Sequence, residues 1–134
     1  MKKIKPDGLY PQAPYAYAAV VAPSTLVFAA GACPLDEAGV TVAPGDLVAQ
    51  TAQAVSNLFA TLRAAGSSPS QVLKTTVFVV AEKRSDLVRA WEVVRAAFGD
   101  ADPPSTLLGV SFLGYPGQLV EIEAIAVAAA PSET

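Results

Sequence analysis

A chain of 134 residues is one domain's worth, and with 52% hydrophobic and 16% charged residues it is too apolar and too weakly charged for intrinsic disorder. The net charge is −3 and no basic block is present, which argues against broad binding to a phosphate backbone. With no histidine and a single cysteine, Cys33, the chain cannot carry a Ser-His-Asp triad, a histidine-activated thiol, a histidine-ligated zinc or an internal disulfide.

Met1 to Pro14 holds three prolines and a glycine and reads as an irregular or edge segment. Lys2, Lys3 and Lys5 precede a stretch without charge between Asp7 and Asp36, and Ala30-Gly31-Ala32-Cys33 resembles a lipoprotein cleavage box. Pro11, Pro14 and Pro23 interrupt that stretch, and Asp7 stands where an apolar segment should begin. Neither a secretion signal nor a membrane span is therefore expected. The lone cysteine suits a reducing, cytoplasmic compartment.

Tyr15 to Val21 and Leu26 to Ala30 are short apolar runs around the turn residues Ala22-Pro23-Ser24-Thr25, and together they predict a β-hairpin. Pro34 to Gly45 is loop. Asp46 is placed to cap a helix whose stripe is Val48, Ala52, Val55, Leu58, Phe59 and Leu62, with Gly66 as its stop. Val72 to Val80 is rich in β-branched residues and predicts a buried strand. Ser85 is expected to cap a second helix, striped by Leu87, Trp91, Val94 and Phe98 and ended by Gly99. Pro103-Pro104 opens a strand through Thr106 to Phe112, Gly114 to Gly117 turns, and Leu119 to Ala129 is the last strand.

The order β-β-α-β-α-β-β predicts a single α+β domain over residues 1–134, a mixed sheet with two helices on one face. The other face is then bare. A symmetric closed assembly, a trimer or similar, covers such a face, and the low charge content agrees.

Chemistry concentrates on the last strand. Side chains alternate along a strand, so Glu121 and Glu123 share a face with Ile125 and Val127. Either carboxylate can position or deprotonate a water. The plainer alternative is a solvated strand end or an ion pair. Lys74 is a lone charge in an apolar strand, expected to pair with Glu121 or Glu123. Cys33 either lines the same cleft or is a small core residue. The glycines have neither dinucleotide-binding nor P-loop spacing.

Ala13-Pro14-Tyr15, Ala30-Gly31, Lys74-Thr75-Thr76-Val77-Phe78-Val79 and Glu121-Ile122-Glu123-Ala124-Ile125-Ala126-Val127 together resemble the RidA/YjgF (YER057c) family, over nearly the whole chain in order and spacing. The resemblance implies a chorismate-mutase-like α+β fold and a homotrimer with clefts between subunits. It also implies hydrolysis of reactive imines and enamines without a cofactor. The family's cleft tyrosine falls on Tyr15, its glycine on Gly31, and the glutamate that holds the attacking water on Glu121. Its usual serine before that glycine is Ala30 here, and the glutamine after it is Ala32. The arginine that grips the substrate carboxylate falls on Ser105, in Pro103-Pro104-Ser105-Thr106.

That departure has a direct meaning. A guanidinium makes two parallel charge-assisted hydrogen bonds to a carboxylate, and a serine hydroxyl offers one neutral donor. Charged hydrogen bonds contribute about 1.5–3 kcal/mol each against roughly 1 for neutral ones, so the grip on a carboxylate weakens by several kcal/mol. Substrates other than the usual carboxylate-bearing imino acids are expected, oriented by the hydroxyls of Ser105 and Thr106. Two alternatives stand beside this: a trimer that binds a small metabolite without turning it over, and an endoribonuclease. The acidic charge balance and the missing histidine argue against the second.

Overall fold

The computed structural model describes residues 1–129. Its strands are β1 (Lys2–Ile4), β2 (Ala18–Val20), β3 (Thr25–Ala32), β4 (Val72–Val80), β5 (Ser105–Val110) and β6 (Val120–Ala128). Two helices, α1 (Leu47–Ala64) and α2 (Arg84–Phe98), lie between them. The main sheet runs β3-β6-β4-β5. β4 and β5 are parallel, joined through α2, and the other pairs are antiparallel. The fold is the expected α+β arrangement: both helices cover one face of a mixed sheet.

The predicted hairpin between Tyr15–Val21 and Leu26–Ala30 does not form. β2 instead pairs with β1, Lys2 opposite Val20, and β3 pairs with β6, Phe28 opposite Ile125. An isolated two-stranded hairpin is marginal in water. At the edge of the four-stranded sheet, β3 packs Val27 and Ala29 against the core. That gain comes from a partner strand far along the chain, Phe28 facing Ile125, and leaves no trace in the local pattern.

Asp46 does cap α1: its carboxylate accepts from the Ala49 N–H at 3.0 Å. The other end closes as expected at Gly66. The Ser67 and Gly66 N–H groups donate to the carbonyls of Leu62 and Arg63, with Gly66 in the left-handed region at φ 77°. The stripe holds from Val55 onward but not before it. Val48 and Ala52 are exposed, and the first two turns bury Leu47, Gln50, Thr51 and Ala54 instead. Gln50 explains the difference. Its amide donates to the carbonyls of Ala43 and Gly117 and accepts from the Leu119 N–H at 2.8 Å. A buried polar side chain there satisfies backbone groups of two loops.

α2 starts one residue before Ser85, and Ser85 is not its cap. The Asp86 carboxylate reaches back to the N–H groups of Glu82 and Lys83. These bonds, the one from Glu82 foremost, hold its carboxyl below the usual range. Leu87 and Trp91 pack at the rim of the core, with Ala90, Val94 and Phe98 buried. Phe98 meets Phe59 edge-on, ring centres 5.1 Å apart. Between helices and sheet sit Leu58, Leu62, Val72, Val77, Val79, Val120 and Ile122, all fully buried. Each such side chain contributes about 1.5–3 kcal/mol of hydrophobic stabilisation.

The opposite face of the sheet carries Leu26 and Phe28 from β3, Thr76 and Phe78 from β4, Glu123 and Ile125 from β6, and Thr106 and Leu108 from β5. Phe28 is 72% exposed. The bare apolar face anticipated from composition is present.

Candidate functional site

Glu121 is positioned by the alternation of β6. Val120 and Ile122 point into the core, so Glu121 points to the open side, opposite Phe78 of β4 in register. On the other flank, β3 carries a bulge. Ala29 pairs with Ala124 and Ala32 with Ile122, so three steps on β3 oppose two on β6. The bulge brings Gly31 beneath the Glu121 side chain. A Cβ on residue 31 would lie 2.5–2.8 Å from the Oε2, Cδ and Cγ atoms of Glu121. Only glycine leaves room for the carboxylate here.

Two donors meet that carboxylate, both at Oε1. The Cys33 thiol donates at 3.0 Å and the Gln118 amide at 3.3 Å. Burial first, and the hydrogen bond and charge of Glu121 after it, push the Cys33 thiol up to about 11. It is a protonated donor at neutral pH, not a nucleophile. The Cys33 and Leu35 carbonyls are in turn held by the Asn57 amide from α1, at 2.8 and 3.0 Å. Cys33 lies with Ala30, Gly31, Asn57 and Tyr115 along an open groove of about 440 Å³.

Tyr15, Ser105 and Thr106 gather elsewhere, at a cavity of about 420 Å³ that also takes in Tyr17, Lys74 and Ile125. The Ser105 hydroxyl at this cavity is engaged by its own neighbours. It bonds to the Thr75 hydroxyl and donates to the Pro103 carbonyl. Thr106 is the free-facing hydroxyl, and it accepts from the Lys74 ammonium at 2.7 Å. Lys74 also donates to the Thr75 carbonyl at 2.8 Å. The expected ion pair of Lys74 with Glu121 or Glu123 is not made. Burial lowers the Lys74 pKa, and the charge of Glu123 works in the opposite direction. The pocket around residue 105 therefore has a cation after all, a single ammonium.

The predicted site residues thus fall into two groups. Ala30 and Gly31 lie on β3, with Glu121 beside them, and Ser105 and Thr106 lie on β5. β3 and β5 are the two edge strands, three strand spacings apart, about 14 Å. Sequence reasoning missed Gln118, Asn57 and Gln50. Asn57 left a signal, because asparagine is a poor residue for a helix interior. Gln118, in a turn rich in Gly and Pro, left none.

A family model described as "Endoribonuclease L-PSP" matches residues 8–128. The chain belongs to the RidA/YjgF family. A protein named DfrA from Myxococcus xanthus is 38% identical over 114 residues, 85% of this chain and 85% of that protein. A mouse protein named 2-iminobutanoate/2-iminopropanoate deaminase is 32% identical over 111 residues, 83% of this chain and 80% of that one. Among solved structures, the Rid-family protein YyfB of Yersinia pestis matches with a TM-score of 0.87 and 32% identity, covering 94% of this chain and 97% of that one. RidA/YjgF membership agrees with the residues that carried the resemblance. Among the described residues, no helix is long and apolar enough to cross a membrane.

Proposed function

We propose that this RidA-type chain hydrolyses small imines and enamines, in a cleft completed by a neighbouring copy within a cytoplasmic homotrimer and without a cofactor. The observation that carries the reading is the Glu121 carboxylate. It lies over Gly31, which with Cys33 lines an open groove, has one oxygen free of hydrogen bonds from the described residues, and makes no ion pair with any described lysine or arginine. A carboxylate so placed takes a proton from water as the water oxygen attacks the imine carbon. The C=N electron pair moves to nitrogen, which is protonated. The resulting carbinolamine expels ammonia or amine and leaves the carbonyl product. The mouse relative's name points to the same reaction class.

Two features support the cleft between copies. Glu121 on β6 and Ser105 on β5 stand two strand spacings apart, about 10 Å, and three residues apart along β4, where Glu121 lies opposite Phe78 and Ser105 opposite Thr75, so a single copy does not close a small substrate between them. The bare face, with Phe28, Leu26 and Leu108 exposed, offers the apolar surface a second copy would cover.

The substrate class follows from the second group. With the Ser105 hydroxyl engaged by Thr75 and Pro103, the charge in this cavity that could hold a carboxylate is the Lys74 ammonium, a point charge that already serves two oxygens. Imines without a carboxylate are therefore the better substrates.

The test is hydrolysis of 2-iminobutanoate, generated in situ, against a carboxylate-free imine, following the carbonyl product. Faster turnover of the neutral imine is expected, and Glu121→Gln should lower the rate by about 10²-fold or more, the usual contribution of general acid–base catalysis. Full activity in Glu121→Gln would remove the proposed mechanism. Thermal stabilisation by such ligands without any turnover would instead identify a metabolite-binding trimer.

A further inference from the structure

Glu121 is half-buried beside the groove that Gly31 and Cys33 line, and it is tethered by one oxygen only. We infer that Cys33 and Gln118 are positioning residues that hold Glu121 through Oε1 and thereby leave Oε2 to take the proton of the attacking water. The inference rests on the reading of Glu121 as the base and deepens it.

The geometry of Gln118 is the firmer half. Its Oε1 accepts from the Tyr115 N–H at 3.1 Å, and its Nε2 donates to the Val120 carbonyl at 3.0 Å. A backbone N–H can only donate and a carbonyl can only accept, so the amide cannot be turned around. Nε2 must face Glu121, where it donates to Oε1 at 3.3 Å. Gln118 is buried and follows the tight turn at Gly117, φ 74°, so it has no other place to go.

Cys33 approaches from the other side. Its thiol has two acceptors in reach, the Glu121 Oε1 at 3.0 Å and the Gly31 carbonyl at 3.6 Å. The carboxylate is nearer and charged, and a charged acceptor makes the stronger bond. The Asn57 amide clamps the Cys33 carbonyl from α1 at 2.8 Å, which fixes the backbone that carries the thiol.

Oε2 is left over. It accepts no hydrogen bond from any described residue, and it is the atom nearest the space where residue 31 lacks a Cβ. The other titratable groups around the carboxylate do not compete. Glu123 shares its strand face two residues on, and Asp36, Glu37 and Tyr115 line the adjoining groove with Cys33. Lys74 serves Thr106 and Thr75 instead. A carboxylate with one oxygen bound twice and the other unbound has a fixed plane, which sets the direction in which it can accept a proton.

The experiment uses the full chain with carboxyl-¹³C glutamate. The Glu121 resonance is assigned by its loss in Glu121→Gln, and its chemical shift is compared at one fixed pH in the wild type, Cys33→Ala and Cys33→Ser. A carboxyl carbon's shift responds to the donors its oxygens hold, so Cys33→Ala should move the Glu121 resonance, and Cys33→Ser, which keeps a donor, should return it toward the wild-type position. In the imine assay, Cys33→Ala should lower kcat about tenfold with KM little changed, and Cys33→Ser should restore it. An unmoved Glu121 resonance in Cys33→Ala overturns the inference, as does a Cys33→Ser protein that behaves like Cys33→Ala. Absence of turnover in the wild type overturns the hydrolase reading instead, and the resonance still decides the tether.

Discussion

The two faces of the main sheet are made by the same strands, residue by residue in alternation, and they behave as opposite materials. The helix-covered face is closed: Val72, Val77, Val79, Val120 and Ile122 meet Leu58, Leu62 and Val94 with no accessible surface to speak of. The open face mixes Phe28, Ile125 and Leu108 with Lys74, Glu121 and Glu123. All the charged groups of the proposed site sit there. A helix-covered face has to be apolar because a buried charge without a partner is strongly penalised. The open face escapes that rule, so it can keep chemistry, and it pays with surface that is not covered within one copy. Stability and the proposed chemistry in this chain therefore divide by side-chain parity along β4 and β6.

Substitutions on the two faces should therefore fail in different ways. The largest effect on folding is expected from Leu58→Ala, which empties a fully buried position on α1. It should cost roughly 2–5 kcal/mol in urea unfolding, without changing how the surviving folded protein assembles. Phe28→Asp should do the reverse. The side chain is 72% exposed in one copy, so far-UV circular dichroism should be unchanged, while sedimentation should show a monomer in place of the proposed trimer and the proposed imine turnover should vanish with it. A stable Phe28→Asp trimer would break the comparison, because the open face would then not be an assembly surface.

Gly31→Ala should act more locally. The new Cβ displaces the Glu121 carboxylate, and a misplacement of about 1 Å costs on the order of 10²-fold in turnover. Assembly by sedimentation should be retained. Lys74→Met is the mildest. It should raise KM for 2-iminobutanoate about tenfold, the loss of one charged contact worth roughly 1.5 kcal/mol or more, and leave a neutral imine untouched. Equal losses on both substrates would show that Lys74 shapes the open face and does not contact the substrate.

The pH behaviour of Cys33 sharpens the same division. Its thiol pKa is raised from 9.0 to about 11, so near pH 8 it carries roughly a hundredfold less thiolate than an unperturbed cysteine. Alkylation by iodoacetamide should be correspondingly slow, should rise about tenfold per pH unit as thiolate forms, and should level off only near pH 11. Glu121→Gln removes the carboxylate's share of the shift and should speed the reaction severalfold; burial, the larger cause, remains.

Much was legible in the chain itself because it is written in short-range terms. Asp46, Gly66 and Gly99 mark helix ends through local dihedrals and orphan backbone groups. Val72 to Val80 declares a strand by its side chains alone. The alternation Val120-Glu121-Ile122-Glu123 already put both acids on one face, and the order of elements already left one face of the sheet bare, in agreement with the low charge content. Pairing between distant segments was not written there. Nothing near Ala18 or Thr25 says that β2 will join Lys2–Ile4 and β3 will join β6, since a strand's partner is chosen by the core it completes and not by the turn beside it. For the same reason only the folded chain could turn Ser105 toward Thr75, set the Lys74 ammonium on Thr106, and bring Cys33 and Gln118 to a single oxygen of Glu121. Those contacts join residues up to 88 positions apart, and a hydrogen bond is decided by tenths of an ångström that sequence periodicity does not carry.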